Sequence, residues 1–246
     1  MESNSRANRN LCGVLVTTSG TYTFNPSLGE LTLYSFNLIG VRNTSLTEEH
    51  MIGARMAANL LLADWSNETP NLWKVDQVVV PLVAGQQTYA VDPKTIMILD
   101  AYMTINNGLS PAIDRIILPI SRSEYATYPN KTQQGFTTVF WFDRLISPTV
   151  TLWPVPDGTS AQFLTYYRVM QMMDADFTAG QNVDIPYRWL KAFADGMAVE
   201  LGRAWAPATV ALNKPFADAS YQRAYSQDTE NVPFYLAPML GGYYRN

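Results

Sequence analysis

The stretch SLTEEHMIGARMAANLLLADW, residues 45–65, decides how this chain is built. Ser45-Leu46-Thr47-Glu48 has the spacing of a capping box, with Thr47 as the alternative cap, and Asn67 and Pro70 stop the segment, so a long helix is expected. At about 100° per residue, Met51, Ala54, Ala58, Leu61, Leu62 and Trp65 share one side, while Ile52, Met56, Leu60 and Ala63 form a second stripe. Arg55 and Asn59 separate the stripes along one seam, Gly53 and Asp64 along the other. A helix that packs only on its own core needs one stripe. Two stripes set it between layers, either inside a thick helical domain or between its own subunit and a neighbour. Ile52, Met56 and Leu60 are therefore candidate contact residues.

Upstream, Asn25 and Pro26 read as a cap and a first-turn proline, and Leu28, Leu31, Tyr34 and Leu38 follow at helical spacing until Gly40. Downstream, from residue 72 to 171, the period becomes that of strands. Residues 73–80, 95–105, 113–120, 137–145, 149–153 and 161–169 are β-rich runs separated by Gly, Pro, Asn and Asp. Ser121-x-x-Glu124 interrupts them with a cap for a short helix. Helices return with Asp184 and Pro186 as a start. Leu190, Phe193, Ala194, Met197, Leu201 and Ala204 fall in one arc, with Lys191, Asp195 and Arg203 outside it, the pattern of an ordinary core helix ended by Pro207. A last helix is expected from about Asn213, with Pro215 in its first turn and Ala217, Tyr221, Ala224 and Tyr225 inward.

The expected class is α+β. The N- and C-terminal helices (25–70 and 184–230) form an antiparallel helical bundle, and an antiparallel β-sandwich or barrel-like lobe (71–183) is inserted between them. Residues 1–24 are an N-terminal extension, and 231–246 are an extended C-terminal tail. Phe234, Tyr235, Leu236, Tyr243 and Tyr244 make that tail too apolar for solvent, so it needs a groove, on a neighbour or on its own domain.

Composition narrows the chemistry. Of 246 residues 47% are hydrophobic, 12% aromatic and only 15% charged, which excludes disorder for the bulk of the chain, and charged residues break every apolar run that approaches membrane-spanning length. With 17 Lys and Arg against 21 Asp and Glu, the net charge of −4 argues against a basic nucleic-acid-binding surface. One cysteine, Cys12, and one histidine, His50, leave no metal cluster, disulfide framework or cofactor site to expect. The apolar run at 11–16 is too short for a secretory signal. His50, the single imidazole a serine or cysteine hydrolase would need as base, reads as structural. Asp143, Asp157, Asp174, Asp176 and Asp184 are the available acids for glycoside hydrolysis, but Asp157 belongs to a turn and Asp184 is expected to cap a helix. The tryptophans read as core or interface before they read as a sugar platform. No enzyme is expected.

Several strings carry a family resemblance: YTFNPSLGEL at 22–31, AANLLLADWSN at 57–67, NLWKV at 71–75, PISRSEYA at 119–126, PNK at 129–131, WFDR at 141–144, LWPVPD at 152–157 and IPYRWL at 185–190. From about Tyr22 onward the chain resembles the head-to-tail adaptor (connector) proteins of tailed bacteriophages, especially short-tailed ones. The resemblance implies a structural virion protein, made in the host cytoplasm, that forms a ring of about twelve subunits at the particle neck. It implies a portal protein above, a tail nozzle or next tail ring below, and double-stranded DNA passing through the lumen and retained there without sequence-specific binding. It implies no membrane partner and carries no catalytic residue. An acidic subunit suits such a conduit, because a basic lumen would hold the genome it must release. Alternatives are a nozzle or tube component of the same particle, and a glycan-binding or glycan-cleaving tail protein.

Overall fold

A computed structural model of the chain describes residues 19–68, 72–105, 112–177 and 180–229. Phe234, Tyr235, Leu236, Tyr243 and Tyr244, the whole C-terminal tail and most of the N-terminal extension lie outside the described residues. The fold is α+β, with five α-helices and seven strands among the described residues.

Helix α1 (Leu28–Leu38) starts two residues later than Asn25-Pro26 suggests. Ser27 and Glu30 form a reciprocal capping box: Glu30 N–H donates to the Ser27 hydroxyl at 3.3 Å, and Ser27 N–H donates to the Glu30 carboxylate at 2.8 Å. Two satisfied donors outweigh one proline at the first turn. Helix α2 (Glu48–Glu68) begins after Thr47, and Ser45 belongs instead to a preceding 3₁₀ turn, Asn43–Ser45. His50 takes the place a glutamate usually holds three residues after the cap. Its Nδ1 accepts the Thr47 N–H at 3.3 Å and lies 2.7 Å from Thr47 Oγ1.

Helix α4 (Leu190–Trp205) follows a 3₁₀ turn, Tyr187–Trp189, and packs against α1, against α2 and against α5 (Pro207–Gln227). The single-arc reading of α4 needs correction. Ala192, Asp195, Ala198, Val199 and Gly202 are buried as well as Leu190, Phe193, Ala194, Met197 and Leu201 of the expected arc, while Ala204, expected inward, is exposed, so this is the surrounded helix of the lobe. Asp195, placed outside the arc by spacing, is 5% exposed and takes Lys191 Nζ at 2.8 Å. The last helix also starts six residues before Asn213. Pro207 does not merely end α4 but opens α5 at its first turn, where a missing N–H costs nothing, and Pro215 lies inside the helix. Tyr225, expected inward, is exposed.

The strands are β1 (Val75–Pro81), β2 (Thr88–Ala90), β3 (Thr95–Ile105), β4 (Ile113–Pro119), β5 (Val139–Asp143), β6 (Thr149–Trp153) and β7 (Gln162–Met170). They form one curled sheet in the order β1-β7-β3-β4-β5-β6-β2. The expectation of a purely antiparallel lobe needs one correction: β4 and β5 pair in parallel, Leu118 with Val139 and Pro119 with Phe140. A parallel pair needs a crossover, and helix α3 (Arg122–Thr127), capped by Ser121 as its spacing predicts, supplies part of it. β2 has three residues and escapes sequence reading.

Two hydrophobic cores result. In the helical one Trp189 is fully buried, with ring centroids 5.1 Å from both Trp65 and Trp73, and the same core holds Phe36, Phe193, Met197 and Leu201. That core also takes in Met172, Ala175 and Val183 from the chain between β7 and α4. In the other, Ala101, Met103, Ile117, Phe140, Leu152 and Leu164 fill the inner face of the sheet. Each large side chain so buried contributes about 1.5–3 kcal/mol. At the sheet margin Arg168 on β7 donates to Asp76 at 2.7 and 3.1 Å and to Thr95 at 3.0 Å, so its buried charge is paired and hydrogen-bonded.

Candidate interaction surface

The two stripes of α2 meet different surroundings. Ala54, Ala58, Leu62 and Trp65 are buried in the helical core, with Met51 and Leu61 packed against it. Ile52, Met56 and Leu60 are 65%, 61% and 61% exposed, and Ala63 beside them is exposed too. Among the described residues, nothing of this chain covers that second stripe.

Both seams are built to hold the helix in this rotation. On one, the Asn59 amide imitates a peptide group: it donates to the Ala175 carbonyl and accepts the Ala175 N–H, both at 2.9 Å, while Arg55 Nε lies 3.5 Å from Asp176. On the other, Gly53 lets the Trp205 ring approach. A Cβ added at Gly53 would sit 2.2 Å from the ring's Cη2 atom. Trp205 in turn stacks on His50, centroids 5.1 Å apart, and His50 meets Phe36 edge-on at 5.8 Å. Thus the imidazole joins α2, α1 and α4 through its ring and caps α2 through Nδ1.

Sequence reasoning missed a second apolar patch. Leu212 and Phe216 on α5 are exposed, and Phe216 shares a hollow with Leu38 of α1 and Ala198 of α4. The four-residue spacing of Leu212 and Phe216 was the available signal, hidden because the helix was expected to start after Leu212. β4 adds exposed Ile113, Ile116 and Leu118.

Most of the candidate carboxylates have structural partners. Asp157 accepts the Thr159 N–H and Gln162 Nε2, each at 3.1 Å, and the hydrogen bonding from Thr159 chiefly holds its pKa below the ordinary value, keeping it an anion in its turn. Asp184 does not cap a helix as expected: it takes Lys74 Nζ at 2.6 Å and Met173 N–H at 2.9 Å, because the following 3₁₀ turn has Pro186 at its cap position. Asp176 faces Arg55, Asp174 is exposed, and Asp143 ends β5. The strand tryptophans are partnered as well. Tyr125 of α3 stacks on Trp141 at 5.5 Å, and Tyr128, just after it, lies flat on Trp153 at 4.0 Å. No group of three or more metal-ligating side chains occurs among the described residues. No helix among them is long and apolar enough to cross a membrane.

The described residues define an α+β protein with exposed apolar stripes on α2, α5 and β4 and no gathered group of metal-ligating side chains. The particular family follows from the sequence: a profile described as SU10 adaptor protein matches residues 37–236, and the chain belongs to that family. It is accordingly a structural adaptor protein of a bacteriophage particle, a virion component. The matched span takes in α2, the β strands, α4, α5, Phe234, Tyr235 and Leu236; it leaves out most of α1 and Tyr243 and Tyr244. No curated protein matches the chain significantly.

Proposed function

We propose that the chain assembles into a ring, of about twelve copies, that joins the portal vertex to the tail of a short-tailed phage and encloses the channel through which DNA is retained and then released. The observation that carries this reading is the exposed stripe Ile52, Met56 and Leu60 on an otherwise core-packed helix. Cyclic rings need two different complementary patches per subunit, and the α1/α5 patch around Leu38 and Phe216 offers the second. Phe234, Tyr235, Leu236, Tyr243 and Tyr244 are proposed as a further contact to portal or neighbour in the assembled particle. The net charge of −4 per chain favours sliding of DNA over sticking.

The test combines Ile52→Gln, Met56→Gln and Leu60→Gln. Removing exposed apolar groups changes monomer stability by about 0.5 kcal/mol or less per site, so the triple variant should unfold within about 6 °C of the parent and stay folded under assembly conditions. Ring assembly on purified portals, seen by electron microscopy, is expected to be lost. Undiminished rings would remove α2 from the interface, and imaging of intact necks that places the chain below the adaptor position would favour the nozzle instead.

A further inference from the structure

Between α1 and the start of α4 lies an apolar cleft of about 540 Å³, walled by Phe24, Pro26, Leu31, Tyr34, Tyr187 and Leu190. Two cations stand at its rim, Arg188 and Lys191. The same two line an adjoining hollow with Arg223, on the side where α5 ends. The end of α5 is tied to this rim: Asp228 pairs with Arg188, and its other carboxylate oxygen accepts the Leu72 N–H at 3.3 Å. The chain therefore leaves the described residues at the mouth of the cleft, and the next residues in sequence are Glu230 and then Val232-Pro233-Phe234-Tyr235-Leu236.

We propose that in the unassembled subunit this cleft is the receptor for the chain's own C-terminal segment, residues 232–240. Reach permits it, since the six residues from Asp228 to Phe234 extend up to about 20 Å, twice the spacing of two packed helices. Order and chemistry agree along the path: the acidic residues come first, against Arg188, Lys191 and Arg223, and the aromatic ones follow, against Tyr34, Tyr187 and Leu31. Tethering at Asp228 makes docking intramolecular, so a weak contact suffices. Pro233 and Pro238 reduce the entropy lost on docking. In this state the subunit covers both its cleft and its most apolar segment until a partner competes for the latter. The proposal concerns the free subunit and stands whether or not the chain forms rings.

Hydrogen exchange on the full-length monomer tests it. Replacing Tyr34 and Tyr187 by Ser, both exposed and outside the core, should leave the far-ultraviolet spectrum unchanged and raise exchange in residues 232–240 several-fold. A chain ending at Thr229 should show faster exchange in residues 28–38 and 187–194, reversed by adding the peptide of residues 230–246. Unchanged exchange in both variants overturns the proposal. Protection that appears only as concentration rises with oligomer formation overturns it in favour of a neighbour's tail. Exposure of the cleft on removing residues 1–18 instead of 230–246 overturns it in favour of the N-terminal segment.

Discussion

The Glu30 carboxylate accepts the Ser27 N–H at 2.8 Å, and this hydrogen bond, with that of the Ser27 hydroxyl, holds its pKa below the ordinary glutamate value. A group whose folded pKa is depressed contributes stability that is fully present above the unfolded pKa and is lost as pH falls toward the folded one. The gap in thermal midpoint between the parent and Glu30→Ala is thus expected to be widest near neutral pH and to narrow below roughly pH 4.3. A gap constant with pH would show that the carboxylate charge plays no part in the cap. Gly53 acts through volume alone. Gly53→Ala forces its Cβ against the Trp205 ring, which cannot swing away without leaving its stack on His50, and overpacking of this kind costs about 1–3 kcal/mol. Urea unfolding should show a lower midpoint with an unchanged slope; an unchanged midpoint would mean that the α2–α4 contact yields freely.

Helix α5 continues through Pro215, which can donate no hydrogen bond to the carbonyl one turn earlier and faces solvent. Pro215→Ala should raise the thermal midpoint, with a gain of up to about 3 kcal/mol, and a fall would show that the proline sets the path of the helix rather than weakening it. The same helix shows where reading by element fails. Two prolines eight residues apart each satisfy the rule for a helix start, and the first is the one used, with Thr209 and Val210 of the added turns close against Gly202 of α4. α2 and α4 make the complementary point. The two stripes of α2 and its seams at Asn59 and Gly53 were legible, but its limits were not: the helix begins after Thr47 rather than Ser45 and runs past Trp65 to Glu68. α4 read as an ordinary amphipathic helix because Asp195 and Lys191 resemble a solvated face, although their pairing lets the carboxylate be buried.

Across the whole molecule, the order of helices, strands and the small capped helix at Ser121 was written in local signals: caps, prolines, and periods of 3.6 or 2 residues. Strand limits followed within a residue or two for β3, β4, β6 and β7. Those signals arise between neighbours in the chain, so sequence by itself determined the α+β class, the element order apart from β2, and the existence of a surplus apolar stripe at Ile52, Met56 and Leu60. Tertiary structure alone decided which stripe of α2 is covered, that α4 is the surrounded helix, and that β4 and β5 run parallel in one curled sheet. Each of these depends on which surface meets which, and periodicity states that a face needs burial without naming its partner. The cleft beside Arg188 belongs to the same group, since it joins residues 24 to 34 with 187 to 194, and no local signal links two such distant stretches.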